Sequence, residues 1–239
     1  MDEVGKTTRL FLVRHGEVVV QGQKKFLGFT NLGLSPEGKK QIRRLAGHLK
    51  LFSLDQAVSS DLQRALDSAR ILCKDRGLDP VPYTAFREMN MGAWDGKSWE
   101  EIKEKYPQAK GLYFSNLKKF RFPEGENWGQ FRSRVLKGLE SLLRENQGRN
   151  ILLVAHAGVN RIILAQALGL RFRNMFFMEQ DYACLNIIEY SSRLAVVKLM
   201  NGIFYKRQER VMEKKSKYRS QNGKTKSKTR EVFLLNSDS

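Results

Sequence analysis

At 239 residues, 41% of them hydrophobic, the chain is long enough to bury a sizeable core in one domain. No apolar run approaches the roughly 20 residues of a membrane span, and the start Met1-Asp2-Glu3-Val4-Gly5 is too acidic for a signal peptide, so a cytoplasmic protein is expected. Cys73 and Cys184 lie far apart inside apolar segments, which argues against a disulfide framework or a zinc site and for buried free thiols, while the net charge of +18 calls for negatively charged partners.

In chain order, Gly5-Lys6-Thr7-Thr8 mimics the end of a phosphate-binding P-loop, but the glycine needed five residues earlier would precede Met1, and the segment comes before its strand. The continuous apolar run Arg9 to Val13 predicts a strand covered on both faces. A loop with Gly22, Gly28 and Gly33 follows. Ser35-Pro36 then predicts an N-cap and first helical residue, with Ile42, Leu45, Ala46 and Leu49 at helical spacing after it. Gln56 to Ser60 predicts a second strand, and Asp61 the cap of a helix with inner stripe Leu62, Ala65, Leu66, Ala69, Leu72 and Cys73. Between about Phe86 and Glu126, aromatics, Gly and Pro in short pieces predict an excursion bearing short helices, in which Trp94 and Trp99 read as packing residues.

A long amphipathic helix through Trp128, Phe131, Val135, Leu139, Leu142 and Leu143 comes next, then the strand Ile151 to Val154 and a helix from Arg161 to Leu168. Two last strands, about Cys184 to Tyr190 and Leu194 to Met200, are joined by the tight turn Ser191-Ser192-Arg193 and so run antiparallel. The expected class is α/β: a mostly parallel central sheet with helices on both faces and an antiparallel edge hairpin, over residues 1–205.

Two buried-type strands end alike, in Val13-Arg14-His15-Gly16 and Val154-Ala155-His156-Ala157-Gly158. Ligands of open parallel sheets bind outside the carboxyl ends of strands, so both histidines belong in one crevice. Arg14 adjoins the first, and Arg64 falls in the first turn of the helix after Asp61, where free backbone N–H groups already favour an anion. Two histidines and two arginines about one crevice describe a phosphate site.

The run Leu12-Val13-Arg14-His15-Gly16-Glu17 resembles the signature of the histidine phosphatase superfamily, which includes the cofactor-dependent phosphoglycerate mutases. Further matches fall in the same order: Gly28-Phe29 with Leu34-Ser35-Pro36-Glu37-Gly38, then Ser59 to Ala65, Arg87-Glu88 before Gly92-Ala93-Trp94-Asp95-Gly96, and Val154 to Gly158. The resemblance implies a phosphoric monoester hydrolase acting on a small phosphorylated metabolite, with His15 as nucleophile and no metal or cofactor. Arg14, Arg64 and a cationic His156 would hold the phosphate together with Gly28, Phe29 and Gly158, and Glu88 would protonate the leaving alcohol.

Two features depart from the pattern. Val18-Val19-Val20 stands where many relatives carry Ser or Thr followed by Asn, and the gap from Glu88 to His156 is shorter than in mutases, which favours a phosphatase. The segment Gln180 to Glu189 resembles the branch with α-ribazole phosphatases of cobalamin synthesis. A phosphoglycerate mutase is the alternative enzyme, and a polyanion-binding or regulatory module the alternative of another class.

Bland readings stand beside these. Glu17, Glu124 and Glu126 are rival carboxylates to Glu88, and His48 reads as a helix-surface residue. Residues 206–239 form a basic tail in which Lys206 to Arg230 holds eleven Lys or Arg against Glu209 and Glu213. Its composition predicts solvated disorder, and a sharper reading is a weak tether to RNA, DNA or anionic lipid. Tyr218 is the only ring among those charges, too few for base stacking.

Overall fold

The computed structural model describes residues 6–20, 25–107 and 120–204. The basic tail and Gly22 lie outside the described residues. Among the described residues six strands form one sheet: β1 (Thr8–Arg14), β2 (Gln56–Ser59), β3 (Val81–Pro82), β4 (Asn150–Ala155), β5 (Leu185–Tyr190) and β6 (Ala195–Gly202), in the order β3-β2-β4-β1-β5-β6. β3, β2, β4 and β1 run parallel, whereas β5 is antiparallel to β1 and pairs with β6 as the edge hairpin. The two-residue β3, exposed at the opposite edge, carries no apolar run that a sequence reading would catch.

The apolar runs of β1 and β4 are buried on both faces because helices cover both. Leu10, Leu12, Ile151 and Leu153 enter one cluster with Phe131, Val135, Leu139 and Leu142 of the long helix α4 (Trp128–Glu145) and with Val159, Ile162 and Ile163 of α5 (Ala157–Ala167). Residues of the other parity, such as Phe11 and Val13, are equally buried, and the Phe11 ring meets Phe52 at 5.1 Å just beyond α1 (Pro36–Leu49). α1 packs on α2 (Gln63–Cys73), which lies against β2 and β4. Each such aliphatic side chain contributes about 1.5–3 kcal/mol on burial. Cys73 and Cys184 are buried free thiols whose pKa values burial raises to about 11. His48 is exposed in the last turn of α1, its ring 4.4 Å from that of Phe204. Among the described residues no helix is long and apolar enough to cross a membrane.

Two helix starts differ from expectation. Ser35 caps α1 as anticipated, accepting from the Gly38 N–H at 2.9 Å, but Asp61 does not cap α2. Leu62 holds that position, and both Asp61 oxygens accept from the Arg87 guanidinium. A charged partner 26 residues away outcompetes the local cap. α5 begins at Ala157 instead of Arg161, directly on His156 as its N-cap residue. The middle excursion folds as two 3-10 turns (Thr84–Phe86 and Gly92–Trp94) and the short helix α3 (Trp99–Lys105), with Trp94 buried in the aromatic core.

Candidate active site

The register of β1 on β4 pairs Arg14 with Ala155, so the next residues, His15 and His156, leave adjacent strand ends side by side. Their rings stand 5.1 Å apart between centroids, and both are buried. Gly16 lets α1 close over the turn, since a Cβ there would come within 2.5 Å of the Gly38 carbonyl oxygen. With Arg14, Arg64 and Glu88, the histidines line a cavity of about 460 Å³. The expected convergence is present.

The His15 ring is fixed by a hydrogen bond of 2.7 Å between Nδ1 and the Gly16 carbonyl. A carbonyl only accepts, so Nδ1 carries the proton and Nε2 keeps its lone pair. Burial, then the charges of Arg64 and Arg14, hold the His15 pKa well below the ordinary imidazole value. His156 is lowered likewise, by burial first and then by Arg64, His15 and Arg14. In the protein alone the His156 ring is thus held toward its neutral form, beside the fixed charges of Arg14 and Arg64. A neutral ring avoids a third positive charge, and a phosphate dianion would reverse that balance.

Neither ring nitrogen of His156 has a hydrogen-bond partner, nor has the buried Nε of Arg14. Unmatched buried polar atoms are costly, and both residues that carry them line the cavity. Arg14 is steadied by the Gln180 carbonyl, which accepts from Nη1, and by the Tyr182 ring 3.9 Å from its Cζ. Gln180 itself is anchored through buried amides, its side chain bonded to Asn160 and Asn186.

Arg64, only 1% exposed, donates from Nη1 to the Thr30 carbonyl and from Nη2 to the Gly28 carbonyl, each at 2.7 Å. Asp95 in turn gathers that loop, accepting from the backbone N–H groups of Gly28, Phe29 and Thr30 and from the Thr30 hydroxyl. Gly28 and Phe29 thus do not line the cavity as expected. They act through Arg64, because their N–H groups are consumed by Asp95.

Glu88 projects into the same space from the excursion. Its Oε1 accepts from the Met89 N–H at 2.9 Å and its Oε2 from the Gly158 N–H at 3.0 Å. Gly158 is therefore not a free phosphate donor, and Ala157 lines the cavity in its place. The rival carboxylates separate by geometry. Glu126 is closed off by Arg134 and by the Asn90 N–H, and Glu124 is exposed away from the cavity. Glu17 lines the cavity while accepting from the Ser35 hydroxyl.

Arg134 also donates to the carbonyls of Ala85, Arg87 and Glu88, so the Glu126–Arg134 pair clamps the chain on both sides of Glu88. Sequence reading missed Asp95, Arg134 and Tyr182 as site residues. Asp95 falls in the Gly92 to Gly96 match and Tyr182 in the Gln180 to Glu189 segment, whereas nothing in the sequence signalled Arg134.

A family model for the histidine phosphatase superfamily (branch 1) matches residues 10–202, and the chain belongs to that family. It is 30% identical to a bifunctional protein of Mycobacterium tuberculosis over 84% of this chain, a stretch that spans only 56% of that relative. It is also 28% identical to phosphoserine phosphatase 1 of Hydrogenobacter thermophilus, covering 82% of this chain and 96% of the relative. Among solved structures, an α-ribazole phosphatase from Shigella flexneri superposes with a TM-score of 0.76 at 25% identity, over 83% of this chain and 99% of that one.

Proposed function

We propose that this chain is a phosphatase that hydrolyses small phosphomonoesters through a phosphoryl group carried on His15. The observation that carries the reading is the contact of 2.7 Å between His15 Nδ1 and the Gly16 carbonyl: a proton held there leaves the Nε2 lone pair free to attack phosphorus. As the N–P bond forms, the bond to the leaving oxygen breaks, and that oxygen takes a proton from Glu88. Water then attacks the phosphohistidine, gives its proton to the Glu88 carboxylate, and the N–P bond breaks to release phosphate. Arg14, Arg64 and His156 neutralise the equatorial oxygens in both steps. The Shigella relative makes α-ribazole 5'-phosphate the first natural substrate to try.

The test is turnover of an aryl phosphate in EDTA together with acid-labile labelling of the protein by radioactive phosphate. Both are expected in the wild type, and His15→Ala should abolish both. Absence of turnover and of label in the wild type would end the reading. Interconversion of the two monophosphoglycerates, primed by a bisphosphate and faster than hydrolysis, would replace it with the mutase reading.

A further inference from the structure

We infer that the leaving-group side of the cavity selects phosphomonoesters whose alcohol carries an apolar body, aromatic or branched aliphatic, over those whose alcohol has none and bears only a carboxylate or hydroxyls. The inference rests on the phosphatase reading for its chemistry and on the cavity wall for its selectivity. The phosphate end is marked by the histidines with Arg14 and Arg64. Much of the remaining wall is apolar, with Val18, Val20, Leu27 and the ring of Tyr182, and the carboxylate of Glu17 beside them offers no donor to an anion.

Val18 is fixed there, only 5% exposed, by its backbone bridge to Leu34. Two of these side chains belong to the Val18-Val19-Val20 run that departs from the superfamily pattern of hydroxyl and amide residues. The described lining contains no Ser, Thr, Asn or Gln. Its one cation away from the phosphate end is Lys25, which is exposed and attracted to Glu101.

A volume of about 460 Å³ lies within the range of sites that enclose drug-sized molecules, so more than a phosphate is held. A carboxylate pressed against the valines would lose its water without gaining a donor, which costs more than the contact returns. An apolar body makes the same contact favourable. The wall thus distinguishes among the chemistries the superfamily handles: it suits a monoester with a ring or branched chain close to the phosphate and opposes phosphoserine and phosphoglycerate.

The test compares alkyl esters, so that leaving-group reactivity does not decide the result. Wild-type kcat/KM for 2-phenylethyl phosphate is expected to exceed that for phosphoserine, 3-phosphoglycerate and glycerol 1-phosphate by roughly tenfold or more. Val20→Asn and Leu27→Asn should each shrink that ratio several-fold through KM for the aromatic ester. A preference for phosphoserine or phosphoglycerate, or a ratio unmoved by both variants, overturns the inference.

Binding to His15→Ala, which cannot turn over, reads the wall without the chemistry. In a calorimetric titration 2-phenylethylphosphonate should bind at least tenfold tighter than 3-phosphonopropionate. If that order holds while the wild type neither hydrolyses nor becomes labelled, the hydrolytic reading falls and the selectivity stands. If label and turnover appear but the order is equal or reversed, the selectivity falls alone.

Discussion

The backbone N–H of Gly158, second residue of α5, donates to Glu88 Oε2 at 3.0 Å, and a Cβ on that glycine would overlap Glu88 Oε1. The helix that begins at His156 therefore sets the place of the carboxylate as well as that of the second imidazole. One helix start thus fixes both side chains.

Gly158→Ala should displace Glu88, and it also brings a Cβ to 3.0 Å from the Phe131 ring. A destabilisation of about 1–3 kcal/mol is expected from the overpacking. The diagnostic effect is kinetic: kcat should drop at least tenfold for an alkyl phosphate and far less for a dinitrophenyl phosphate, whose leaving group needs no proton. Equal losses with both esters would show that the displaced carboxylate is not the acid.

The two buried histidines give the protein a pH signature of definite sign. Their folded pKa values lie well below the unfolded value of about 6.5, so below that pH the unfolded chain binds more protons than the native one. Their contribution to stability is complete above about pH 6.5 and is lost as pH falls through the folded values, with a slope of at most about 1.4 kcal/mol per pH unit for each ring. NMR titration should find both rings still neutral at pH values below 6.5, where an exposed imidazole is already charged. Inorganic phosphate should then cause proton uptake near pH 6.5, read calorimetrically in buffers of different ionisation enthalpy, as an anion restores the charged form of His156. A ring titrating at 6.5 in the free protein, or phosphate binding without proton uptake, would contradict this.

Much of this arrangement is legible before folding, and the parts that are not share one cause. Arg9 to Val13 and Ile151 to Val154 are apolar on both faces, so they read as central strands, and the histidines just past their ends read as neighbours. The helix through Arg64 reads from its stripe, but its start does not, because Asp61 is taken by Arg87, a residue outside the local window. Asp95 and Arg134 are equally hidden. Each is an ordinary charged residue until the fold brings it to backbone groups dozens of positions away. Gly28 and Phe29 were expected at the ligand for the converse reason, since a sequence match does not tell a residue that touches phosphate from one that holds the arginine that does.

Asp95 is such a support. Asp95→Ala would strip three backbone donors and the Thr30 hydroxyl of their common acceptor, for a loss of roughly 2–4 kcal/mol on denaturant unfolding. The loop that holds Arg64 through the Gly28 and Thr30 carbonyls then loosens. Affinity for inorganic phosphate should fall about tenfold, whereas Asp95→Asn, which keeps an acceptor oxygen, should fall less. Unchanged phosphate affinity in the alanine variant would mean that Arg64 does not depend on this loop.

The clamp about Glu88 supports that carboxylate in the same way. Arg134 reaches the Ala85, Arg87 and Glu88 carbonyls together with Glu126, a set of acceptors that only a guanidinium can span, so Arg134→Lys should recover little of what Arg134→Ala loses. With side chains 23% and 18% exposed, the pair is partly solvated, and removing Arg134 should cost about 2–3 kcal/mol of stability. Acting through Glu88, the variant should lower kcat chiefly for poor leaving groups and leave KM nearly unchanged. Combined with Glu88→Gln it should then add almost nothing, because an acid already absent cannot be further misplaced. Full additivity of the two losses in kcat would show that the clamp serves stability alone.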